Sequence, residues 1–246
     1  MKKTIKTFIR WLGSNAILAT PRIYIGKSLA YYYAGRGKVI FDLATFARRE
    51  DSKGLALVKQ VKAETTMLLE DQEAYLIYLI VKRTAKIDGD IAEVGAYNGG
   101  SAKIISEATT HKAIHLFDTF EGLPELSADD SSDQFQKGNF SASLEQVKEY
   151  LKKYSNVFFY KGLFPDTAGP VVNMKFSFVH LDVDIYQSTL DCLNFFYPRM
   201  SKGGIIISHD YPRSKGVKKA VDEFFADKSE IIIEPFTTGQ CLIIKV

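Results

Sequence analysis

A short apolar strand, followed at once by a glycine-rich turn and a helix, is the feature that most constrains this chain. Residues 91–94 read as a buried strand, the turn Gly95-Ala-Tyr-Asn-Gly-Gly follows, and the apolar spacing from Ser101 onward predicts a helix. In α/β folds such a turn holds a nucleotide-like ligand, because small residues let the backbone approach it and the first helical amides stay free to donate. The pattern Gly-x-x-x-Gly-Gly differs from the Gly-x-Gly-x-x-Gly of dinucleotide-binding folds. A plain strand-to-helix turn is the alternative.

The length and charge of the chain limit the classes of protein to consider. Its 246 residues suffice for one sizeable α/β domain and an extension. The two cysteines, Cys192 and Cys241, lack metal-type spacing, and their number favours a reducing compartment over a disulfide framework. Residues 1–41 contain eight Lys or Arg and no acid, whereas the remainder carries 24 basic and 29 acidic residues. Because the body of the chain is mildly acidic, we expect no nucleic-acid partner.

Residues 1–50 mix basic and aromatic side chains with interrupting glycines, which predicts a separate arm of short helices. The start resembles a signal peptide only superficially, since Gly13, Ser14 and Asn15 break its apolar part, and no run is long enough to span a bilayer. We therefore expect a cytoplasmic protein. We expect the arm to pack on the core or on a second subunit of a homo-oligomer, with peripheral membrane contact as the alternative.

Strands and helices alternate through residues 51–246, which we assign to one domain. Apolar runs predict strands at 91–94, 113–117, 156–160, 176–181, 204–208, 231–234 and 241–246, and amphipathic spacing predicts helices near 71–83, 144–151, 187–196 and 217–225. This alternation predicts an α/β fold with a mostly parallel seven-stranded sheet and helices on both faces. The short connection at 237–239 predicts a closing hairpin that makes one edge strand antiparallel. The long, partly acidic connection 121–143 predicts a lid or a disordered loop.

Polar residues follow four of the predicted strands at the point where each ends. They are Glu93 with Gly95, Asp118, Asp182 with Asp184, and His209 with Asp210. Because ligands of open α/β sheets bind beyond the carboxyl ends of the strands, we expect these side chains to surround one site. Neighbouring acids repel one another unless a cation or a hydroxyl-rich ligand lies between them.

The spacing of these acids indicates two functions. Asp118 lies 23 residues after Gly95, where an acid can accept hydrogen bonds from ribose hydroxyls. Asp182 and Asp210 are 28 residues apart, so on neighbouring strands about 4.8 Å apart they could share a divalent cation. His209 is either a ligand for a metal softer than Mg²⁺ or a hydrogen-bonded neighbour. The alternative for Asp118 is a helix cap or a solvated loop acid. The alternative for Asp182 and Asp210 is two separately solvated acids.

Five motifs, in this order, resemble the macrocin O-methyltransferase (TylF-like) family. They are Asp118-Thr-Phe-Glu-Gly-Leu-Pro, Gly162-Leu-Phe-Pro-Asp-Thr, Leu181-Asp-Val-Asp-Ile-Tyr-Gln-Ser-Thr, Tyr197-Pro-Arg-Met-Ser-Lys-Gly-Gly and His209-Asp-Tyr. The resemblance covers about residues 65–226 and leaves out the first 50. It implies the Rossmann-like fold of class I methyltransferases, S-adenosylmethionine as the cofactor, and methylation of a hydroxyl, often on a sugar, with a bound divalent metal.

The resemblance also implies a cofactor site. Glu93, Gly95 and Gly99 would line the methionine end of the cofactor, Asp118 would hold its ribose, and the turn 162–164, with Gly162 and Phe164, would lie near the adenine. The remaining members of the implied site are Ala96, Tyr97, Ser101, Thr119 and Phe120.

By the same resemblance, Asp182 would be both a metal ligand and the general base, and Asp210 a second ligand. Family members often have two acids before the tyrosine of the last motif, where this chain has His209-Asp210. His209 is therefore the third candidate ligand, and the metal is either Mg²⁺ or a softer divalent ion.

We predict an S-adenosylmethionine-dependent O-methyltransferase that acts on a hydroxyl of a sugar or glycoconjugate. The second hypothesis is a nicotinamide-dependent oxidoreductase, since Asp118 could bind the ribose of either cofactor. The missing Gly-x-Gly-x-x-Gly and the acids after the fourth and fifth strands disfavour it. The third is a non-catalytic cofactor-binding subunit of a larger assembly, which only His209 favours. We expect the N-terminal helices and the connection 121–143 to select the acceptor.

Overall fold

The computed structural model describes residues 51–109, 111–130, 134–235 and 238–246. The predicted basic arm, residues 1–50, lies outside the described residues. None of the helices within the described ranges combines the length and apolarity needed to span a bilayer.

Seven strands form one sheet across the described chain. They are β1 (Asp90–Val94), β2 (Ile114–Asp118), β3 (Val157–Lys161), β4 (Phe176–Leu181), β5 (Met200–His209), β6 (Ile232–Ile233) and β7 (Gln240–Ile244). Their order in the sheet is β3-β2-β1-β4-β5-β7-β6. The first five strands pair in parallel, whereas β7 pairs antiparallel with both β5 and β6. The predicted mostly parallel sheet is confirmed, and its antiparallel strand lies one position inside the edge.

Six α-helices accompany the described sheet. They are α1 (Ser52–Glu64), α2 (Asp71–Arg83), α3 (Gly100–Ala108), α4 (Leu144–Leu151), α5 (Tyr186–Phe196) and α6 (Lys215–Phe225). Hydroxyl caps begin two of them, because the side chains of Ser143 and Ser214 accept hydrogen bonds from the first turns of α4 and α6. Helices α2 and α3 pack together, as do α5 and α6.

Alternate residues of β1 face opposite sides of the sheet. Ala92 and Val94 join a buried cluster with Cys192 of α5 and Val217 of α6. Because side chains of a strand alternate, Glu93 points toward the opposite face. The strand order reverses between β1 and β4, and this switch point is where open α/β sheets bind ligands.

Two strands differ from their predicted extents. β5 begins at Met200, four residues before the predicted start, and Met200 pairs there with Phe176 of β4. β6 keeps only two residues of the predicted 231–234, and the flanking Ile231 is 76% exposed. The apolar run around β6 therefore marks an open sheet edge rather than a buried strand.

Candidate functional site

A cavity of about 310 Å³ lies at the carboxyl ends of β1, β2, β4 and β5, beside the switch point. Its volume falls in the range of small-molecule sites. Eleven predicted site residues line it, namely Gly95, Ala96, Tyr97, Ser101, Asp118, Thr119, Gly162, Phe164, Asp182, His209 and Asp210. The segment before α2 and the connection 121–143 add further wall residues, among them Leu68 and Phe140.

The turn after β1 brings its main chain directly against β4. Gly95 has a φ of +90°, and a Cβ there would lie 1.8 Å from the carbonyl oxygen of Asp182. Its amide donates to the carbonyl of Phe117 over 2.9 Å. Position 95 therefore requires glycine to keep β1, β2 and β4 in contact at the cavity wall.

Helix α3 starts at this wall without a side-chain cap. Gly99 occupies the N-cap position with a φ of +76° and offers no side chain to the first amides. Gly100 and Ser101, the first helical residues, line the cavity. An uncapped helix N-terminus attracts negative charge, which suits the carboxylate of an amino-acid moiety.

Asp118 stands at the end of β2 with both carboxylate oxygens held in place. Its Oδ2 accepts a hydrogen bond from the Tyr97 amide (2.8 Å), and its Oδ1 accepts one from the Phe120 amide (2.6 Å). Burial raises the pKa of Asp118 above its usual value, although these amide donors oppose the shift. Each carboxylate oxygen has a further acceptor position, so the pair can also bind two hydroxyls.

Three residues of the implied cofactor site, Glu93, Gly99 and Phe120, lie behind the cavity wall rather than in it. The Glu93 carboxylate is fully buried, with Oε1 2.8 Å from Nδ1 of His180 on β4. A Cβ at Gly99 would lie 3.0 Å from Val147 of α4, so this glycine faces a helix. The Phe120 side chain is buried.

The turn after β3 supplies an apolar part of the wall beside Asp118. The Phe164 ring stacks on Phe196 with centroids 5.1 Å apart and meets Phe117 edge-on at 5.2 Å. The amide of Gly162 donates to the carbonyl of Asp118 over 3.0 Å, which ties this turn to β2. A flat aromatic surface next to an acid with free acceptor positions suits a nucleoside.

Asp182, His209 and Asp210 converge at the ends of β4 and β5, as their positions at strand ends predict. Their ligand atoms all lie within 4.8 Å of one another. His209 Nδ1 is 2.9 Å from Oδ1 of Asp182 and 3.3 Å from Oδ2 of Asp210. Two ligands about 2.1 Å from one metal lie about 3.0 to 3.4 Å apart at octahedral or tetrahedral angles. His209 Nδ1 has no directed hydrogen bond among the described residues, so the donor set fits a cation.

The charges of this cluster also favour a positive ion. Burial acts to lower the pKa of His209, but the surrounding carboxylates outweigh it and raise the pKa above its ordinary value. Burial acts to raise the pKa of Asp182, and His209 outweighs it, so the pKa of Asp182 is lowered. Burial and the charges of Asp182 and Asp210 raise the pKa of the neighbouring Asp184 to about 9. The group therefore needs a positive charge at Nδ1, either a proton or a metal ion.

Two residues near this cluster carry no sequence motif. Glu73 of α2 is fully buried, and its Oε2 lies 3.3 Å from Nε2 of His209. Arg213 lines the cavity, with Nη2 2.9 Å from Oε1 of Glu73 and Nη1 4.0 Å from Asp210. Nothing in the sequence pairs positions 73 and 209, which are 136 residues apart. In the structure Glu73 shares the buried side of α2 with Ala74 and Ile77.

The described parts of the connection 121–143 form a packed wall of the cavity. Leu123 and Phe135 pack with Ile185 in a small buried cluster. Asp130 Oδ1 accepts a hydrogen bond from the Tyr186 amide over 2.7 Å, at the first residue of α5. This hydrogen bond ties the connection to α5, the helix that follows Asp182 and Asp184.

Solved structures share this architecture. The chain is 25% identical to the O-methyltransferase NovP, with a TM-score of 0.60 over 70% of this chain and 79% of that one. It is 16% identical to the calicheamicin methyltransferase CalS11, with a TM-score of 0.61 over 79% and 92% of the two chains. The fold is therefore that of the class I methyltransferases, as expected.

The chain is also similar in sequence to O-methyltransferases. One is the 8-demethyl-8-(2,3-dimethoxy-alpha-L-rhamnosyl)-tetracenomycin-C 4'-O-methyltransferase of Streptomyces olivaceus, which is 32% identical over 51% of this chain and 54% of its own length. Another is the mycinamicin III 3''-O-methyltransferase of Micromonospora griseorubida, 29% identical over 51% and 56%. The chain thus spans just over half the length of these relatives. The family model of the macrocin-O-methyltransferases (TylF) matches residues 71–238, and the chain belongs to this family.

Proposed function

We propose that this protein is an S-adenosylmethionine-dependent O-methyltransferase that acts on a hydroxyl of a sugar or glycoconjugate. A divalent metal assists, and Asp182 is the general base. One observation carries the proposal: a single cavity joins the Asp118 carboxylate to the cluster of Asp182, His209 and Asp210. The names of the relatives, all O-methyltransferases and one specifying a rhamnosyl group, support a sugar-bearing acceptor.

The residues on the β1–β2 side fit the parts of the cofactor. Asp118 accepts hydrogen bonds from the ribose hydroxyls, and the aromatic ring of Phe164 lies near the adenine. The uncapped start of α3 receives the methionine carboxylate. Gly95 lets the main chain approach without a side chain in between.

The residues on the β4–β5 side would hold the metal and the acceptor. Asp182, His209 and Asp210 are the proposed ligands. A bound divalent cation would supply positive charge that lowers the pKa of a coordinated hydroxyl. Asp182 stays ionised at neutral pH, because its pKa is lowered, and so can accept a proton. Bound S-adenosylmethionine would supply an electrophilic methyl group, and Asp182 would take the proton that the acceptor hydroxyl loses when it is methylated.

The wall formed by the connection 121–143 would contact the rest of the acceptor. Phe140 is 38% exposed, and Leu68, on the segment before α2, is 61% exposed. Exposed apolar side chains at the wall of a cavity favour an acceptor with an apolar body beside its sugar.

Calorimetry with S-adenosylmethionine, S-adenosylhomocysteine and NAD, each with and without a divalent metal, tests the proposal. We expect the two adenosyl compounds to bind and NAD not to bind. Asp182→Asn and Asp210→Asn should keep S-adenosylhomocysteine affinity but lose methyl transfer. In Asp182→Asn, which removes the general base, the rate should fall by a factor of about 10² to 10⁴. NAD binding in place of the adenosyl compounds would contradict the cofactor. Full activity of Asp210→Asn in a chelator would contradict the metal.

We also propose that the basic arm, residues 1–50, joins subunits of a homo-oligomer of this cytoplasmic enzyme rather than binding the cofactor. A variant that lacks residues 1–40 should keep its S-adenosylhomocysteine affinity and change its mass in light scattering. An unchanged mass together with lost binding to anionic vesicles would support the membrane alternative.

A further inference from the structure

Glu73 is a fully buried carboxylate that lies outside the cavity and has both oxygens engaged. Oε1 accepts a hydrogen bond from the Gly239 amide (2.7 Å) and lies 2.9 Å from Nη2 of Arg213. Oε2 accepts one from the Glu70 amide (2.7 Å) and lies 3.3 Å from Nε2 of His209. The carboxylate is therefore fixed by the start of α2 and by the turn before β7.

His209 lies between the Glu73 carboxylate and the carboxylates of Asp182 and Asp210. Its Nε2 faces Glu73, while its Nδ1 faces Asp182 and Asp210 at 2.9 and 3.3 Å. The imidazole is 8% exposed, and Nδ1 lacks a directed hydrogen bond among the described residues. An imidazole whose one nitrogen donates to a carboxylate presents its other nitrogen as a lone pair, and this arrangement recurs behind metal-binding histidines.

We propose that Glu73 is a positioning residue that orients His209 Nδ1 toward Asp182 and Asp210 and so makes the centre selective for a transition-metal ion over Mg²⁺. This inference rests on the metal part of the proposed function. One nitrogen and two carboxylate ligands suit Mn²⁺, Co²⁺ or Zn²⁺, whereas Mg²⁺ prefers oxygen ligands alone. Glu73 increases the basicity of the nitrogen and removes the rotational freedom of the ring.

Glu73 also has a structural role, because it closes the capping box of α2 with Glu70 and pairs with Arg213. A loss of metal affinity in a Glu73 variant would therefore be ambiguous on its own. A positioning role acts through His209, so it must disappear when His209 is replaced. A purely structural role must persist in that background. A double-mutant cycle separates the two.

The experiment compares four proteins: wild type, Glu73→Gln, His209→Asp and the double variant. Glutamine keeps the shape of the side chain and one acceptor oxygen. Co²⁺ and Mg²⁺ affinities are measured by calorimetry. The visible absorption of bound Co²⁺ reports its ligand field, and comparison with His209→Asp shows the contribution of the nitrogen. Glu230→Gln is the matched control, since Glu230 is another buried, ion-paired carboxylate, 2.9 Å from Lys245.

We expect wild type to bind Co²⁺ more tightly than Mg²⁺, and Glu73→Gln to weaken Co²⁺ binding by about 10 to 100-fold with an altered spectrum. His209→Asp should shift preference toward Mg²⁺, and adding Glu73→Gln to it should change metal affinity little. Glu230→Gln should bind both metals as wild type does. The inference would be overturned if Glu73→Gln lowered Co²⁺ affinity equally in wild type and in His209→Asp. It would also be overturned if Glu73→Gln left the Co²⁺ affinity of wild type unchanged.

S-adenosylhomocysteine affinity, measured on the same four proteins, separates this inference from the proposed function. Wild type that binds S-adenosylhomocysteine but no divalent metal would overturn the inference and the metal site while leaving the cofactor assignment standing. Wild type that binds Co²⁺ but not S-adenosylhomocysteine would overturn the cofactor assignment alone.

Discussion

His180 on β4 and Glu93 on β1 form a buried pair across adjacent strands, with Nδ1 of the histidine 2.8 Å from Oε1 of the glutamate. Both side chains are fully buried and stand opposite each other in the strand register. The pair joins the two strands whose ends carry Gly95 and Asp182. Glu93 therefore supports the cavity wall from behind.

We predict that Glu93→Ala destabilises the protein by about 1 to 3 kcal/mol, because it leaves the buried Nδ1 of His180 without its hydrogen-bond partner. Urea unfolding measures this loss. S-adenosylhomocysteine affinity at low temperature, where the variant is folded, should stay close to wild type. Unchanged stability with a large loss of affinity would instead place Glu93 in contact with the cofactor, as the family resemblance implies.

Asp118→Ala should weaken S-adenosylhomocysteine binding by about 1 to 3 kcal/mol, the range for a charge-assisted hydrogen bond. The reason is that Asp118 lines the cavity with acceptor capacity left beyond its two amide donors. Glu121→Gln is the control, since that side chain is 77% exposed and pairs with Lys161. Equal affinity of the Asp118 variant and wild type in calorimetry would remove this residue from the ribose site.

Gly95 and Gly99 should respond differently to alanine, although they belong to one motif. A Cβ at position 95 would lie 1.8 Å from the main-chain oxygen of Asp182, whereas at position 99 it would lie 3.0 Å from a movable Val147 side chain. We expect Gly95→Ala to abolish S-adenosylhomocysteine binding or folding. Gly99→Ala should lower thermal stability by about 1 kcal/mol, because of its positive φ, and keep most of the affinity. A Gly99→Ala protein with wild-type stability but no binding would contradict this placement.

Much of the fold follows from local sequence signals. The run 176–181 and the amphipathic segments 71–83 and 144–151 match β4, α2 and α4 at both ends, because apolar periodicity and capping act within a few residues. The convergence of Asp118, Asp182 and Asp210 also follows, since parallel strands bring their carboxyl ends to one edge.

Contacts between distant elements could not be predicted in this way. The spacing of residues 71–83 predicts an amphipathic helix, but it does not indicate that Glu73 reaches His209 on β5. The motif around Gly99 indicates a tight turn, but not that this glycine faces α4. Such contacts depend on how helices pack across the sheet, and no short-range pattern encodes that packing.

The acid sensitivity of the fold should depend in part on Glu230. Burial acts to raise its pKa, but Lys245 (2.9 Å) and the Tyr197 hydroxyl (2.7 Å) outweigh it and lower the pKa to about 2, from 4.5. A lowered pKa in the folded state contributes stability above about pH 4.5 that is lost as the pH falls toward about 2.

Glu230→Gln should therefore be less stable than wild type at pH 7 and should lose less further stability between pH 5 and pH 3. Urea unfolding at these pH values gives the pH dependence of the free energy of unfolding for each protein. The same pH dependence in wild type and variant would show that the pKa of Glu230 does not differ between the folded and unfolded states.

The connection 121–143 should depend on Asp130 for its attachment to the body of the protein. Its Oδ1 accepts the Tyr186 amide, and its Oδ2 accepts the amide (2.9 Å) and hydroxyl (2.7 Å) of Ser127. Asp130→Asn turns one acceptor into a donor, so we expect a stability loss of about 1 kcal/mol and a raised KM for the acceptor. Asp129→Asn, which removes an exposed ion pair with Lys219, should change neither by much. A raised KM for S-adenosylmethionine with an unchanged acceptor KM would show instead that this wall serves the cofactor side of the cavity.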